Sequence, residues 1–180
     1  MIKLEYFEKV NFAQLINWID SPEFLLQWSG STFEYPLTKE QLKNYINSAN
    51  QENSDTYAYK VIFEKTGQII GHISLGRIDR RNQAARIGKV LVGEKEVRGQ
   101  GIGQKMLETV LKIAFDELHL HRVSLGVFDF NHSAIACYER VGFKKEGLLR
   151  DSSKIGDSYW NMWEMSILED EWKSRNQMKE

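Results

Sequence analysis

The run "RGQGIG", Arg98 to Gly103, stands directly before a long amphipathic stretch. Glycine weakens helices, so Gly99, Gly101 and Gly103 at the start of one need a separate reason. A helix N-terminus offers backbone N–H groups without internal partners and carries about half a positive charge. Glycines let a diphosphate approach such amides closely and Arg98 adds charge, so the run reads as a phosphate cradle. A tight turn with close helix packing is the plainer alternative. A P-loop requires Gly-Lys followed by Ser or Thr, whereas Gly103 precedes Gln104 and Lys105. A dinucleotide fingerprint would place Asp129, at the end of the next strand, on a ribose. The glycines are spaced GxGxG rather than GxGxxG, however, and the remaining chain is short for two mononucleotide-binding halves.

Asn131 and Tyr138 lie seven residues apart, so both can face one side of a helix that starts at Asn131. A phenol at Tyr138 could then give its proton to a departing thiolate, whose basicity is slightly lower. A helix cap and an aromatic core residue are the plain alternatives for the pair. Cys137 could in principle carry an acyl group, but a lone cysteine beside a tyrosine on a short helix reads as packing. His119 and His121 form H-x-H without an adjacent cysteine or acidic cluster, and His72 lies in a strand, so no metal is expected.

The elements that must position these residues follow from periodicity. "IKLEYF" reads as a strand, and Asn11 as the cap of a helix burying Phe12, Leu15, Ile16 and Ile19. Ser21-Pro22 starts a second helical segment, and Thr38 with Gln41 has capping-box spacing before a third, "EQLKNYINSAN". "TYAYKVIFEK" and "QIIGHISLG" read as a hairpin turning at Thr66 and Gly67, followed by the strand "AARIGKVLV". After the glycines, Leu107, Leu111, Ala114 and Leu118 mark a helix stripe widened by Met106, Val110 and Phe115. "RVSLGVF" is a strand and "NHSAIACYERV" a helix stopped by Gly142. "FKKEGLLR" and "YWNMWEMSIL" are strands around a turn at Ile155 to Asp157. The expected fold is α/β (α+β): a mixed central sheet of about seven strands, antiparallel in its N-terminal part, with flanking helices and a later helix crossover.

Composition bounds the function. The chain has 180 residues, 42% of them hydrophobic, and no repeat or linker, which predicts one domain over residues 1–180. A formal net charge of −1 gives no footprint for nucleic acid or an anionic membrane. A single cysteine excludes an internal disulfide, and the first residues lack a signal-peptide pattern, so a cytoplasmic setting is expected.

"VRGQGIG", then Asn131 with Ala134 three residues later, then "YERVGF", resembles the GNAT superfamily of acetyl-CoA-dependent N-acetyltransferases, and the element order extends the resemblance over nearly the whole chain. The family pattern falls on Arg98, Gly101 and Gly103. The resemblance implies that the CoA phosphates sit on backbone amides from Arg98 through Gly99, Gln100, Gly101 and Ile102 to Gly103. It implies that Asn131 lies near the pantetheine arm and Tyr138 near the sulfur. It further implies that "RIGKVLV" and "RVSLGVF" are parallel neighbours that splay apart, with backbone groups near Leu91 and Val92 binding the pantetheine and polarising the thioester. The tail, "GFKKEGLLRD" with "SYWNMWEMSILEDEW", is similar to the branch that holds ribosomal-protein, spermidine and some amino-sugar acetyltransferases. Ala134, where ribosomal enzymes often carry serine, and the retained Tyr138 point away from a ribosomal protein.

The implied reaction is direct attack of a primary amine on acetyl-CoA in a ternary complex. The acceptor is a small-molecule amine, amino sugar, polyamine or peptide N-terminus. A non-catalytic acyl-CoA-binding protein is the alternative, and an NAD enzyme a third. Many family members place a basic glutamate where this chain has Arg86, which leaves Asp129, Glu34 or a water chain to accept the proton. Trp28, Phe33, Glu34 and Tyr35 are candidates for holding a cationic acceptor, or for closing the core, and Trp18 reads as core. The Trp-rich C-terminal strand would suit a homodimer.

Overall fold

The computed structural model describes residues 1–178. Strand β1 (Ile2–Tyr6) leads through a 3-10 turn into α1 (Phe12–Trp18), α2 (Pro22–Ser29) and α3 (Lys39–Ile46). Local hydrogen bonds set two of these starts. The Ser21 hydroxyl accepts from the Phe24 N–H at 3.1 Å, and the Thr38 hydroxyl from the Gln41 N–H at 3.2 Å. The Gln41 side chain does not close a capping box. It accepts from the Glu34 N–H at 2.7 Å and donates to the Glu34 carbonyl at 3.0 Å, tying down the preceding loop. Asn11 does not cap α1 either: its side-chain oxygen accepts from the Glu8 N–H at 2.9 Å and closes the 3-10 turn instead.

The remaining elements are β2 (Tyr57–Phe63), β3 (Gln68–Asp79), β4 (Ala84–Val92), α4 (Ile102–Lys112), β5 (Arg122–Phe128), α5 (His132–Val141), β6 (Lys144–Ile155), β7 (Ser158–Leu168) and α6 (Glu169–Gln177). They form one seven-stranded sheet in the order β1-β2-β3-β4-β5-β7-β6, and only β4 and β5 pair in parallel. This is the mixed sheet that the sequence predicts.

The main core lies between the sheet and α4, where Met106, Leu107, Val110 and Leu111 are fully buried. Past Lys112 the helix widens into a π turn, Ile113–Glu117, which shifts the apolar stripe. Leu118 is therefore only half-buried, and Leu120 takes the core position that the unbroken period assigns to it. Helix α6, not expected from the sequence, buries Trp172, whose ring stacks on Phe115 at 6.1 Å. Its start has a readable signal in the acids Glu169, Asp170 and Glu171, the last accepting from the Leu168 N–H at 3.0 Å. A second core of Phe12, Leu15, Leu25, Trp28 and Leu42 joins the N-terminal helices to the sheet. Trp18 sits at its margin, half-buried, its indole N–H 3.3 Å from the Glu94 carboxylate and its ring against Gly93.

The pairing of β4 with β5 is short. It joins Ala84 to Arg122, Ala85 to Val123 and Arg86 to Ser124, and then stops. At that point the Arg86 guanidinium donates to both oxygens of Glu164 on β7, at 2.5 and 3.0 Å, and to the Ser124 hydroxyl at 3.3 Å. Arg86 is thus a structural cation where the strands part. Gly126 admits it: any side chain there would meet Met162 and, at 2.8 Å, the Arg86 guanidinium. Among the described residues no helix is long and apolar enough to cross a membrane.

Truncating the centre of the core should cost what a buried leucine contributes. Leu111→Ala is expected to lower the free energy of unfolding by about 2–5 kcal/mol, read by urea titration.

Candidate functional site

Where β4 and β5 part, a cleft of about 470 Å³ opens between Ile87–Val92 on one side and Leu125–Phe128 on the other. The glycine loop and the start of α4 roof its open end, and α5 forms the adjoining wall. Gly99 and Gly101 both have left-handed backbone, φ +76° and +74°, which brings the loop into the first turn of α4. Among the described residues no side chain caps that helix start, and its first residues, Ile102 and Gly103, line the cleft. Space around Gly101 is open, as an anion cradle requires. Arg98 lines the cleft, but its guanidinium donates to the Val92 carbonyl at 3.0 Å and the Gly93 carbonyl at 3.3 Å, fastening the loop to the end of β4.

Most of the residues singled out in the sequence converge here. Trp28, Leu91, Val92, Arg98, Gly99, Gly101, Ile102, Gly103, Asn131 and Tyr138 all reach the cleft wall. Asn131 also caps α5, its side-chain oxygen accepting from the Ala134 N–H at 3.4 Å. Tyr138 is 8% exposed, and burial pushes its phenol well above the usual tyrosine range, so the hydroxyl keeps its proton. Cys137 packs beside Gly103, and burial raises its thiol, which disfavours a thiolate nucleophile.

Three expected residues lie elsewhere. The Gln100 side chain folds back to donate to the Glu96 carbonyl at 3.0 Å. Exposed Glu34 has its backbone held by Gln41, outside the cleft wall. Asp129 accepts from the Asn161 amide at 3.2 Å at the tip of β5. Of the neighbouring aromatics, Phe33 stacks behind Trp28 at 5.8 Å, while Tyr35 donates to the Asp20 carbonyl.

Sequence reasoning missed Lys89 and the work of His72. Between Ser74 paired with Gly88 and His72 paired with Leu91, β4 carries one extra residue, a β-bulge at Lys89 and Val90 opposite Ile73. Lys89 there has φ +52°, a strained backbone for a lysine. Side chains of β3 tie the bulge: the Ser74 hydroxyl donates to the Gly88 carbonyl at 3.1 Å, and His72 Nδ1 lies 3.2 Å from the Lys89 carbonyl. A carbonyl only accepts, so Nδ1 carries the proton. Neutral His72 then has a bare, buried Nε2 without a partner among the described residues, and the buried Trp28 indole N–H is likewise unpaired among them. A lysine inside "RIGKVLV" was the available signal; the bulge that turns it inward depends on the partner strand.

A model of the acetyltransferase (GNAT) family matches residues 17–143. The putative ribosomal N-acetyltransferase YdaF of Bacillus subtilis is 34% identical over 107 residues, 59% of this chain and 57% of that protein. The spermidine N(1)-acetyltransferase of Vibrio cholerae is 25% identical over 146 residues, 81% of this chain and 82% of that protein. The match spans less than two thirds of the length of the first relatives, 57% for YdaF and 64% for the probable N-acetyltransferase YjcK of Bacillus subtilis. A crystal structure of spermidine N-acetyltransferase from Vibrio cholerae in complex with CoA and spermine superposes with a TM-score of 0.81. It is 22% identical and covers 96% of this chain and 98% of that one. At that identity the likeness is one of fold. Among the described residues no group of His, Cys, Asp and Glu is arranged to hold a metal ion.

The buried histidine sets a pH dependence of stability. Burial pushes the His72 pKa down to about 3, against the opposing pull of its bond to the Lys89 carbonyl. Below about pH 6.5 the unfolded chain binds a proton there that the folded chain refuses, so acidification destabilises the fold by up to about 1.4 kcal/mol per pH unit. His72→Gln should flatten the fall in unfolding free energy between about pH 6.5 and 4.5, whatever it does to stability at pH 7. Urea titrations across that range measure the slope.

Proposed function

Since the chain belongs to the acetyltransferase (GNAT) family, we propose that it transfers an acetyl group from acetyl-CoA to a primary amine. The carrying observation is the uncapped α4 N-terminus with its glycine loop at the mouth of a cleft that β4 and β5 open by parting. The chemistry of the donors fits CoA. Backbone amides of Gly99, Gly101, Ile102 and Gly103 suit a diphosphate, and Arg140 on the α5 wall adds charge. The strand edges of β4 and β5 beyond Arg86 carry peptide groups released from mutual pairing, which suits the amide-bearing pantetheine arm near Leu91 and Val92.

When bound, acetyl-CoA supplies an activated acetyl thioester. The chain's part is positioning, water exclusion and one proton. Tyr138 holds its hydroxyl proton at any physiological pH and can pass it to the sulfur as the amine nitrogen takes the acetyl carbon. Direct transfer is favoured over an acyl-cysteine because the Cys137 thiol stays protonated. The lone cysteine also fits a reducing, cytoplasmic setting. A second reading, a binding protein without turnover, draws on the lack of any Asp or Glu among the described cleft-lining residues.

Release of CoA thiol from acetyl-CoA on addition of an amine separates the two readings. Gly101→Val forces a β-branched residue to φ +74° and should weaken CoA binding by about 1–2 kcal/mol, measured by calorimetric titration. Tyr138→Phe should leave CoA affinity intact and lower kcat by about 10²-fold or more; an unchanged kcat would remove the proton-donor role. We also propose self-association through the edge strand β6, which exposes Leu148 and Leu149. Light scattering at working concentration should give the mass of a dimer or larger assembly, and the mass of one chain would reject it.

A further inference from the structure

The charges around the cleft are one-sided. Its charged lining residues are Lys89, Arg98 and Arg140, and no carboxylate joins them among the described residues. Arg98 is spent on backbone carbonyls at the glycine loop, and Arg140 stands on α5 beside the same end. Lys89 is alone at the other end, on the bulge of β4. Its ammonium lies 4.9 Å from the centroid of the Tyr45 ring and 5.8 Å from that of Phe33, and no ion pair forms with it among the described residues. The groups that pack around it are aromatic or neutral: Phe33 from the loop after α2, Tyr45 from α3, and His72 from β3, whose Nδ1–H holds its carbonyl. The further charge acting on it is the like charge of Arg77; with burial as the larger cause, this lowers the Lys89 pKa to about 8.

A partly buried ammonium in strained backbone with only aromatic neighbours lacks the anion that would compensate it. Nearby, the Trp28 indole N–H is buried in the cleft wall and finds no acceptor among the described residues. Both groups are donors, and one is positive. Together they describe half of an anion site at the end of the cleft away from the phosphate cradle.

Resting on the acetyltransferase reading above, we infer that the acceptor is an amine carrying its own carboxylate, the α-amino-acid class, with the carboxylate held by Lys89 at the aromatic end of the cleft. The amine chemistry agrees. The α-amine of a free amino acid, held up by its own carboxylate, titrates above the value of about 8 of a peptide N-terminus but below an alkyl ammonium at about 10.4, so it is neutral at pH 7 more often than a polyamine nitrogen. A cleft lined by cations depresses the acceptor's pKa further, so an α-amine can attack without a carboxylate base in the wall. A polyamine would bring further ammonium groups toward Lys89 and meet repulsion. The balance is closed: the amine nitrogen bonds the acetyl carbon, the carbon–sulfur bond breaks, Tyr138 protonates the sulfur, and the proton that the nitrogen loses returns through water to the Tyr138 oxygen.

The test uses matched acceptors with the full chain: phenylalanine, leucine and methionine, each beside its amide and its decarboxylated amine, together with spermidine. CoA thiol release gives kcat/KM. The acids should exceed their amides and amines by about 10- to 100-fold, the worth of one hydrogen bond to a charged group. Lys89→Met should raise KM for the acids and bring acid and amide together, and Lys89→Arg should restore the preference. CoA affinity and melting temperature, measured on each variant, report whether the fold and the other half of the cleft survive. Amides or spermidine used as well as the acids by the parent enzyme would overturn the inference, as would an acid preference that survives in Lys89→Met. Silence with every acceptor while CoA raises the melting temperature overturns the amino-acid class and leaves the CoA reading standing. No effect of CoA on melting removes the reading on which the inference rests.

Discussion

Everything at the site depends on two strands that stop bonding to each other. Strands β4 and β5 share three paired positions and then diverge, although each continues for several residues. Divergence inside a sheet is costly unless something fills the wedge and something else can use the released peptide groups. Here the wedge is filled by the Arg86 guanidinium, doubly bonded to Glu164 and touching Ser124, with Gly126 leaving room for it. The residue that occupies the expected place of a base is therefore part of what holds the cleft open. The pair is only one-quarter exposed, so removing one partner would strand a charge at the apex of the fork.

The fork also explains why the remaining devices are found where they are. Helix α4 runs back from the open end, which puts its uncapped N-terminus and the glycine loop at the mouth. Helix α5, started by Asn131, brings Tyr138 onto the same wall two turns later. On the opposite strand the bulge at Lys89 breaks the alternation of β4, and the β3 side chains of His72 and Ser74 take up the carbonyls of Lys89 and Gly88. Buried His72 stays neutral because its aromatic shell of Phe7, Trp28 and Tyr45 keeps water from a charged ring, with the nearby charge of Lys89 a smaller cause. A chain with net charge −1 thereby presents a cleft whose charged lining, among the described residues, is all positive.

Local rules made part of this legible in the amino-acid order. Period-two and period-3.6 patterns depend on neighbours within one element, so the strands, the α4 stripe and the caps at Ser21 and Thr38 could be read directly. The glycine loop and the Asn131 to Tyr138 spacing were legible for the same reason, each being carried by one helix and its entry. The pattern failed where a distant partner intervened. The π turn moved the buried position from Leu118 to Leu120, Gln41 turned away from its own helix toward Glu34, and Asn11 closed a turn instead of capping α1.

The sequence by itself determined which elements form, that one helix starts with an anion-ready glycine loop, and which phenol stands two turns from a helix cap. These are short-range properties, fixed by backbone freedom and side-chain period. The tertiary structure alone decided that Arg86 serves as a strut, that Asp129 and Glu34 stay outside the cleft, and that Lys89 meets aromatic rings and, among the described residues, no acid. A charge acquires its role from what surrounds it, and those surroundings come from strands and helices far apart in the chain.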